Sequence, residues 1–363
     1  MTRDVFRSWR RVPIPRGSGE VGAGRHADAV PSIRRRLAWW SLIFGALAFL
    51  AVLAAPLIGT TPISLSRVFD GSIPFADNVD AQIFFIARLP RALAGALVGA
   101  TLAAAGVVFQ ALLRNPLATP FTLGVSAGAA LGAMLAITLR LNLSLFGVSA
   151  VTAASFIGSL GAVAIVYAMA RARHRGFSTN ILLLAGVTLN AFFSALILFV
   201  QYLADSAEAL RTMRWLMGDL DIAGYGPLLA ALPLCAVAFA AFAWLPRALN
   251  LLSLDTDAAA SRGVDVLRVQ RVAFFSASMA TGAAVSLGGP IGFIGIIVPH
   301  LVRLMVGADH RVVLPASALF GAAFLVAADV VARTVMAPVE LPVGIITALV
   351  GGPFFLWLLV RQR

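Results

Sequence analysis

The sequence predicts an all-α integral membrane protein of about ten transmembrane helices, and three observations lead there. First, 60% of the 363 residues are hydrophobic and only 12% are charged, with a mean hydropathy of +0.93. A soluble domain carries about 25% charged residues, so soluble cores built from this chain would lack the polar surface to face water. Second, apolar stretches close to the roughly 20 residues that cross a bilayer recur along the whole chain. Third, all 28 basic residues are arginines, and 21 of them fall on one side of the topology those stretches define.

Residues 1–36 hold nine arginines among glycines and prolines and read as a disordered cytoplasmic arm. The rest of the chain, 37–363, reads as one transmembrane domain. Its first span covers 37–58 and opens with Trp39 and Trp40 at the interface. A cleaved signal peptide is the rival reading, but the 36-residue basic region ahead of it is too long for one. Residues 59–87 are mixed and carry Asp70, Asp77 and Asp80. The second span covers 89–113 and ends at the break Arg114-Asn115-Pro116-Leu117, with Pro120 soon after; two prolines so close force a non-helical connection. Spans three and four cover 121–139 and 145–170, the latter closed by Arg171, Arg173 and Arg175. The fifth covers 180–203, and a short amphipathic piece around 208–217 separates it from the sixth, 226–245. A long polar loop, 247–270, follows with Asp255, Asp257, Arg262, Asp265 and Arg268. The last four spans cover 271–287, 291–306, 312–331 and 341–360. Ten spans put both termini on one side, and the arginine excess makes that side the cytoplasm.

Composition also excludes chemistry. Without lysine the chain has no Walker A loop and no Schiff-base nucleophile. One cysteine, Cys235, excludes an intrachain disulfide, and four scattered histidines show no metal-ligand spacing. The net charge of +12 follows the membrane topology instead of forming a nucleic-acid face. No cofactor and no catalytic constellation is expected.

Several polar groups stand out. Arg88-Leu89-Pro90-Arg91 opens the second span, and as an exposed pair it suits bidentate capture of carboxylates on a partner; interfacial snorkelling is the plainer reading. Arg333 follows Asp329 by four residues, so the two can pair on one helix face. Arg268-x-x-Arg271 near the seventh span echoes Arg88-x-x-Arg91, as an inverted repeat would. On the fifth span Asn190, Ser194 and Gln201 fall within about 40° of one another at 100° per residue. Such a stripe faces a pore or bonds a neighbouring helix.

Arg88-Leu89-Pro90-Arg91, Arg114-Asn115-Pro116-Leu117-Ala118, Leu123-Gly124-Val125-Ser126, Leu183-Leu184-Ala185-Gly186-Val187, Gly292-Phe293-Ile294-Gly295, Val298-Pro299-His300 and Glu340-Leu341-Pro342-Val343-Gly344 together resemble the FecCD-type permease family. These are ten-span subunits of bacterial ABC importers for ferric siderophores, haem and vitamin B12. The motifs run in order from about residue 80 to the C-terminus, while residues 1–36 have no counterpart in the family.

The resemblance implies a type II importer permease in the bacterial inner membrane. It implies a homodimer with the path at its interface, two copies of a cytoplasmic ABC ATPase, and a periplasmic substrate-binding protein. Arg88, Arg91 and Arg333 match positions that meet glutamates of that binding protein. Asn115 and Leu117, with Ser178 and Thr179, match the cytoplasmic gates. Residues 250–270 match two short coupling helices that insert into the ATPase, centred on Ala258, Ala259, Ser261, Arg262 and Gly263; Asp255-Thr256-Asp257 departs from the family pattern there and leaves the charge of the contact open. The family's use of its fifth span favours the pore for Asn190, Ser194 and Gln201. His300 matches a Pro-His of the B12 relatives and reads as structural. The expected cargo is an iron chelate, a ferric siderophore before haem, with vitamin B12 as the alternative. An ion-driven secondary transporter is the rival class, and it would need carboxylates in the path.

Overall fold

The computed structural model describes residues 32–141, 144–145, 148–173, 179–222 and 224–361. Helix α1 (Ile33–Ala54) runs into a 3₁₀ turn, Ala55–Leu57. The short helices α2 (Leu65–Val68) and α3 (Val79–Gln82) follow, and a π-helical turn, Ile83–Arg88, joins α3 to α4 (Leu89–Leu112). A 3₁₀ turn, Pro120–Leu123, precedes α5 (Val125–Thr138); then come α6 (Ala150–Arg173), α7 (Thr179–Leu203), the amphipathic α8 (Ser206–Leu216) and α9 (Gly226–Trp244). Two short helices, α10 (Pro246–Leu252) and α11 (Thr256–Ala260), lead to α12 (Val266–Gly288), α13 (Ile294–Val306), α14 (His310–Thr334) and α15 (Val343–Arg361). A two-residue hairpin, Ser144–Leu145 with Val148–Ser149, is the single sheet among the described residues. Among the described residues, six helical stretches are long and apolar enough to cross a membrane, and three shorter apolar helices accompany them.

Each of the ten predicted spans has its helix, with several boundaries shifted: α5 starts at Val125 and α6 at Ala150, four and five residues later than expected. Helix α1 starts at Ile33, so Arg34, Arg35 and Arg36 belong to it and not to the arm. Helix α12 starts at Val266, which shortens the predicted 247–270 loop and puts Arg268 and Arg271 on a helix. Within that loop the first short helix, α10, begins at Pro246, ahead of residue 250. Prolines and caps explain the ends: Asp205 and Glu208 form a reciprocal capping box on α8, and Asp265 and Asp309 cap α12 and α14.

Helix α4 lies at the centre, packed by α14, α12 and α13. Its small residues make this possible. An added Cβ at Gly99 would fall inside the carbonyl of Gly321 on α14, and one at Gly106 inside that of Gly295 on α13. In a bilayer, where apolar surface has no water to leave, such backbone approach supplies the packing that hydrophobic burial supplies in soluble proteins.

Candidate functional site

The first turn of α4 and the last turns of α14 meet at one end of the bundle. Arg91 donates from Nε to both carboxylate oxygens of Asp329, at 3.0 and 3.2 Å, and its Nη2 lies 3.0 Å from Oδ1. Its Nη1 reaches Glu340 Oε2 at 2.7 Å. Arg333 forms an ion pair with Asp329, its Nε 3.0 Å from Oδ2. Its Nη1 and Nη2 donate to Ile58 O and Ala55 O, at 3.3 Å each. Arg88 donates to Pro56 O at 3.1 Å and to Thr61 O. The exposures of Arg88, Arg91, Arg333 and Asp329 are 7, 7, 3 and 2%.

This corrects the sequence reading. The arginines are not a free cationic rim; they are buried struts tying α4 and α14 to the 55–61 segment after α1 and to the 335–342 loop. The i, i+4 pairing of Arg333 with Asp329 is present as expected, but Asp329 also serves Arg91, which no local spacing reveals. Glu340 is the one member of the network with a substantially exposed side chain, 41%, and it covers Arg91 from outside. Nearby, Asp219 is drawn toward Arg91, yet burial outweighs the attraction and raises its carboxyl above the usual carboxylate range. The echo between Arg88-x-x-Arg91 and Arg268-x-x-Arg271 does not extend to environment. Arg268 and Arg271 are exposed, the former 5.8 Å over the ring of Trp244.

At the opposite end of α4, Arg114 takes a positive φ of 48° and Asn115 Oδ1 accepts from Leu117 N at 2.9 Å, which fixes the turn. Asn115 and Leu117 are both half-buried. Thr179 is the first residue of α7, and Ser178 lies outside the described residues. Arg114 Nη1 approaches Asp255 Oδ1 at 3.5 Å, so the break touches the start of the coupling segment.

In that segment Ser261, Arg262 and Gly263 are exposed and Ala258 is half-buried. Ala259 is fully buried among the chain's own helices and cannot itself touch another protein. Gly263 has φ +81°, a conformation that suits glycine. Unforeseen polar contacts brace this end: Gln110 donates to Gly295 O at 2.9 Å and accepts from Arg303, and Arg36 donates to Val306 O. A lone glutamine inside the apolar α4 was the signal that sequence reasoning passed over.

The polar stripe on α7 divides. Asn190 Nδ2 donates to Phe121 O at 2.8 Å, so it bonds the neighbouring 3₁₀ turn, the alternative to a pore role. Ser194 lies on the exposed face of α7, and Gln201 is half-buried. Leu184, Val187, Phe192, Leu198, Phe199 and Tyr202 share that open face. His300 stacks edge-on against Phe354 of α15, ring centroids 6.0 Å apart, as a packing residue does.

Comparison with known proteins bears on the whole arrangement. The FecCD transport family matches residues 46–361. The hemin transport system permease HmuU of Yersinia pestis is 39% identical over 287 residues, 78% of this chain and 84% of its own. The cobalamin import system permease BtuC of Halobacterium salinarum is 44% identical over 346 residues, 94% and 85% of the two chains. A solved metal-chelate type ABC transporter in an inward-facing conformation superposes with a TM-score of 0.76 at 32% identity, covering 90% of this chain and all of that one. With ten helices in the predicted order and this match over most of its length, the chain belongs to the FecCD transport family, the permeases of metal-chelate type ABC importers.

Proposed function

We propose that the chain is the homodimeric permease of an importer that carries a ferric siderophore across the inner membrane. Both termini and the α10–α11 segment face the cytoplasm, as the arginine asymmetry favours. ATP hydrolysis belongs to a separate subunit seated on that segment, in line with a chain that holds no lysine for a phosphate loop. A binding protein docks outside, on the face that Arg88, Arg91 and Arg333 brace, with Glu340 standing between Arg91 and any incoming carboxylate. Asn115, Leu117, Ser178 and Thr179 form the cytoplasmic gate, and Ser261, Arg262 and Gly263 meet the ATPase.

The observation that carries the cargo reading is the open face of α7. Two such faces meeting would line a path with leucine, valine and phenylalanine, eased by Thr188 and Ser194. The helix bears no charged group and no histidine, cysteine or methionine. A wall of this kind holds no metal, so it suits a chelate whose own ligand already satisfies the ion. Haem, with axial positions open, fits it less well. Cobalamin is the second reading, favoured by the 44% identity to the halobacterial cobalamin permease. An ion-driven transporter is disfavoured because Asp329 is committed to two arginines.

The test is competitive uptake in proteoliposomes holding the permease, its ATPase and its binding protein. A trihydroxamate or catecholate ferric chelate is expected to outcompete haemin and cyanocobalamin. Preferential uptake of cyanocobalamin would replace the siderophore assignment with the second reading.

A further inference from the structure

We infer that Asn250 is the positioning residue that latches the coupling segment to helix α14. This rests on the importer reading for its consequence, though not for its geometry. Asn250 sits on α10, and its side chain is bonded at both edges to the first turn of α14. Nδ2 donates to Asp309 Oδ1 at 2.8 Å, while Oδ1 accepts from the backbone N–H of His310 at 2.9 Å and lies 2.7 Å from His310 Nδ1.

The neighbours dictate the residue type. A carboxylate only accepts and a backbone N–H only donates, so the bridging side chain must offer one donor and one acceptor at this reach. Asparagine does; aspartate and leucine do not. The carboxylate is dependably charged: the Arg311 guanidinium foremost, with Asn250 and the Arg311 backbone N–H, holds Asp309 below the usual carboxylate range against the opposing effect of burial. His310 is 8% exposed, so little water competes for these bonds.

What the latch grips is a lever. Helix α14 has 25 residues, about 37 Å at 1.5 Å per residue. Its far end holds Asp329, clamped by Arg91 and Arg333 in the buried outer network. A push on α11 reaches α10 beside it, and through Asn250 it moves α14 as a body instead of being absorbed in the 253–265 turns. The competing explanation is that apolar packing of Leu249 and Leu252 already suffices to join α10 to the bundle.

The experiment uses the full complex in nanodiscs and measures ATPase rates with and without loaded binding protein. Asn250→Asp faces Asp309 with a like charge, and the stimulated-to-basal ratio is expected to fall to near 1 while the ATPase still co-purifies. The polarity swap Asn250→Asp with Asp309→Asn restores a donor opposite an acceptor, and it should recover at least half of the wild-type ratio. A wild-type ratio in Asn250→Asp or Asn250→Leu, or a folded swap variant whose ratio stays near 1, overturns the inference. Hydrogen exchange on the permease alone separates the latch from the importer reading. The first turn of α14 should exchange at least tenfold faster in Asn250→Leu, and equal rates also overturn the latch. Failure of the wild-type permease to bind the ATPase would count against the importer reading alone.

Discussion

Asp329→Asn is the substitution whose cost the structure fixes most sharply. Asp329 is 2% exposed and stands between two guanidinium groups that are themselves 7% and 3% exposed. Asparagine keeps the volume and one acceptor but removes the charge, leaving Arg91 and Arg333 to face each other across a buried site. Breaking a buried pair by removing one partner costs about 3–5 kcal/mol. The lower end applies, since Arg333 keeps its bonds to Ala55 O and Ile58 O and Arg91 keeps Glu340. A loss of about 3 kcal/mol is therefore expected, a factor on the order of 150 in the folding equilibrium. Glu340→Gln, on a side chain 41% exposed, should cost no more than about 1 kcal/mol. Reversible unfolding of the purified permease in mixed micelles, titrated with sodium dodecyl sulfate, gives both values on one scale. Equal costs for the two variants would refute the claim that the network is a buried structural strut.

Other consequences follow from single sites. Gly99→Leu must displace the backbone of Gly321 and should abolish recovery of monodisperse protein, whereas Gly161→Leu, which meets nothing within 4 Å, should be recovered normally; size-exclusion chromatography reads both. Asp219 has a raised carboxyl pKa, so its charged form costs the native state. The penalty is absent below the unfolded value and fully present above the folded one, so Asp219→Asn should stabilise at pH 7 and the gain should vanish as pH falls toward 4; thermal unfolding across that range checks the sign. Ser194→Trp should depress uptake with assembly intact, while Asn190→Leu, which loses one hydrogen bond of about 1 kcal/mol, should lower stability and leave uptake close to wild type; paired uptake and melting measurements separate the two roles.

The helices were legible because each span is a run of apolar and small residues ended by proline, glycine or arginine, signals that act locally. The end of the bundle to which each polar residue belongs was legible for the same reason. Partners were not. Arg91 finds Asp329 and Glu340 across some 240 residues of chain, and nothing in the RLPR run distinguishes a cation on display from one in a buried clamp. Asn250 falls in the predicted polar loop 247–270, and its partners Asp309 and His310, at the start of α14, lie some 60 residues away in the chain. Ala259 belongs to the segment expected to couple to the ATPase, yet helix phase turns it inward while Ser261 and Arg262 face outward. Asn190 and Ser194 share one stripe by angle, but the 3₁₀ turn at Phe121 claims the first and leaves the second open. In each case tertiary packing chose between readings that sequence spacing permits equally.

The central claim is that this chain is a passive path opened by a separate ATPase, and one reconstitution tests it most directly. Proteoliposomes carrying the permease alone, and others carrying it with its ATPase and binding protein, are supplied with a radiolabelled ferric chelate and ATP. The account predicts no ATP hydrolysis and no accumulation by the permease alone, with uptake against a gradient appearing only when both partners and ATP are present. Accumulation by the permease alone, driven by a proton or sodium gradient, would contradict it.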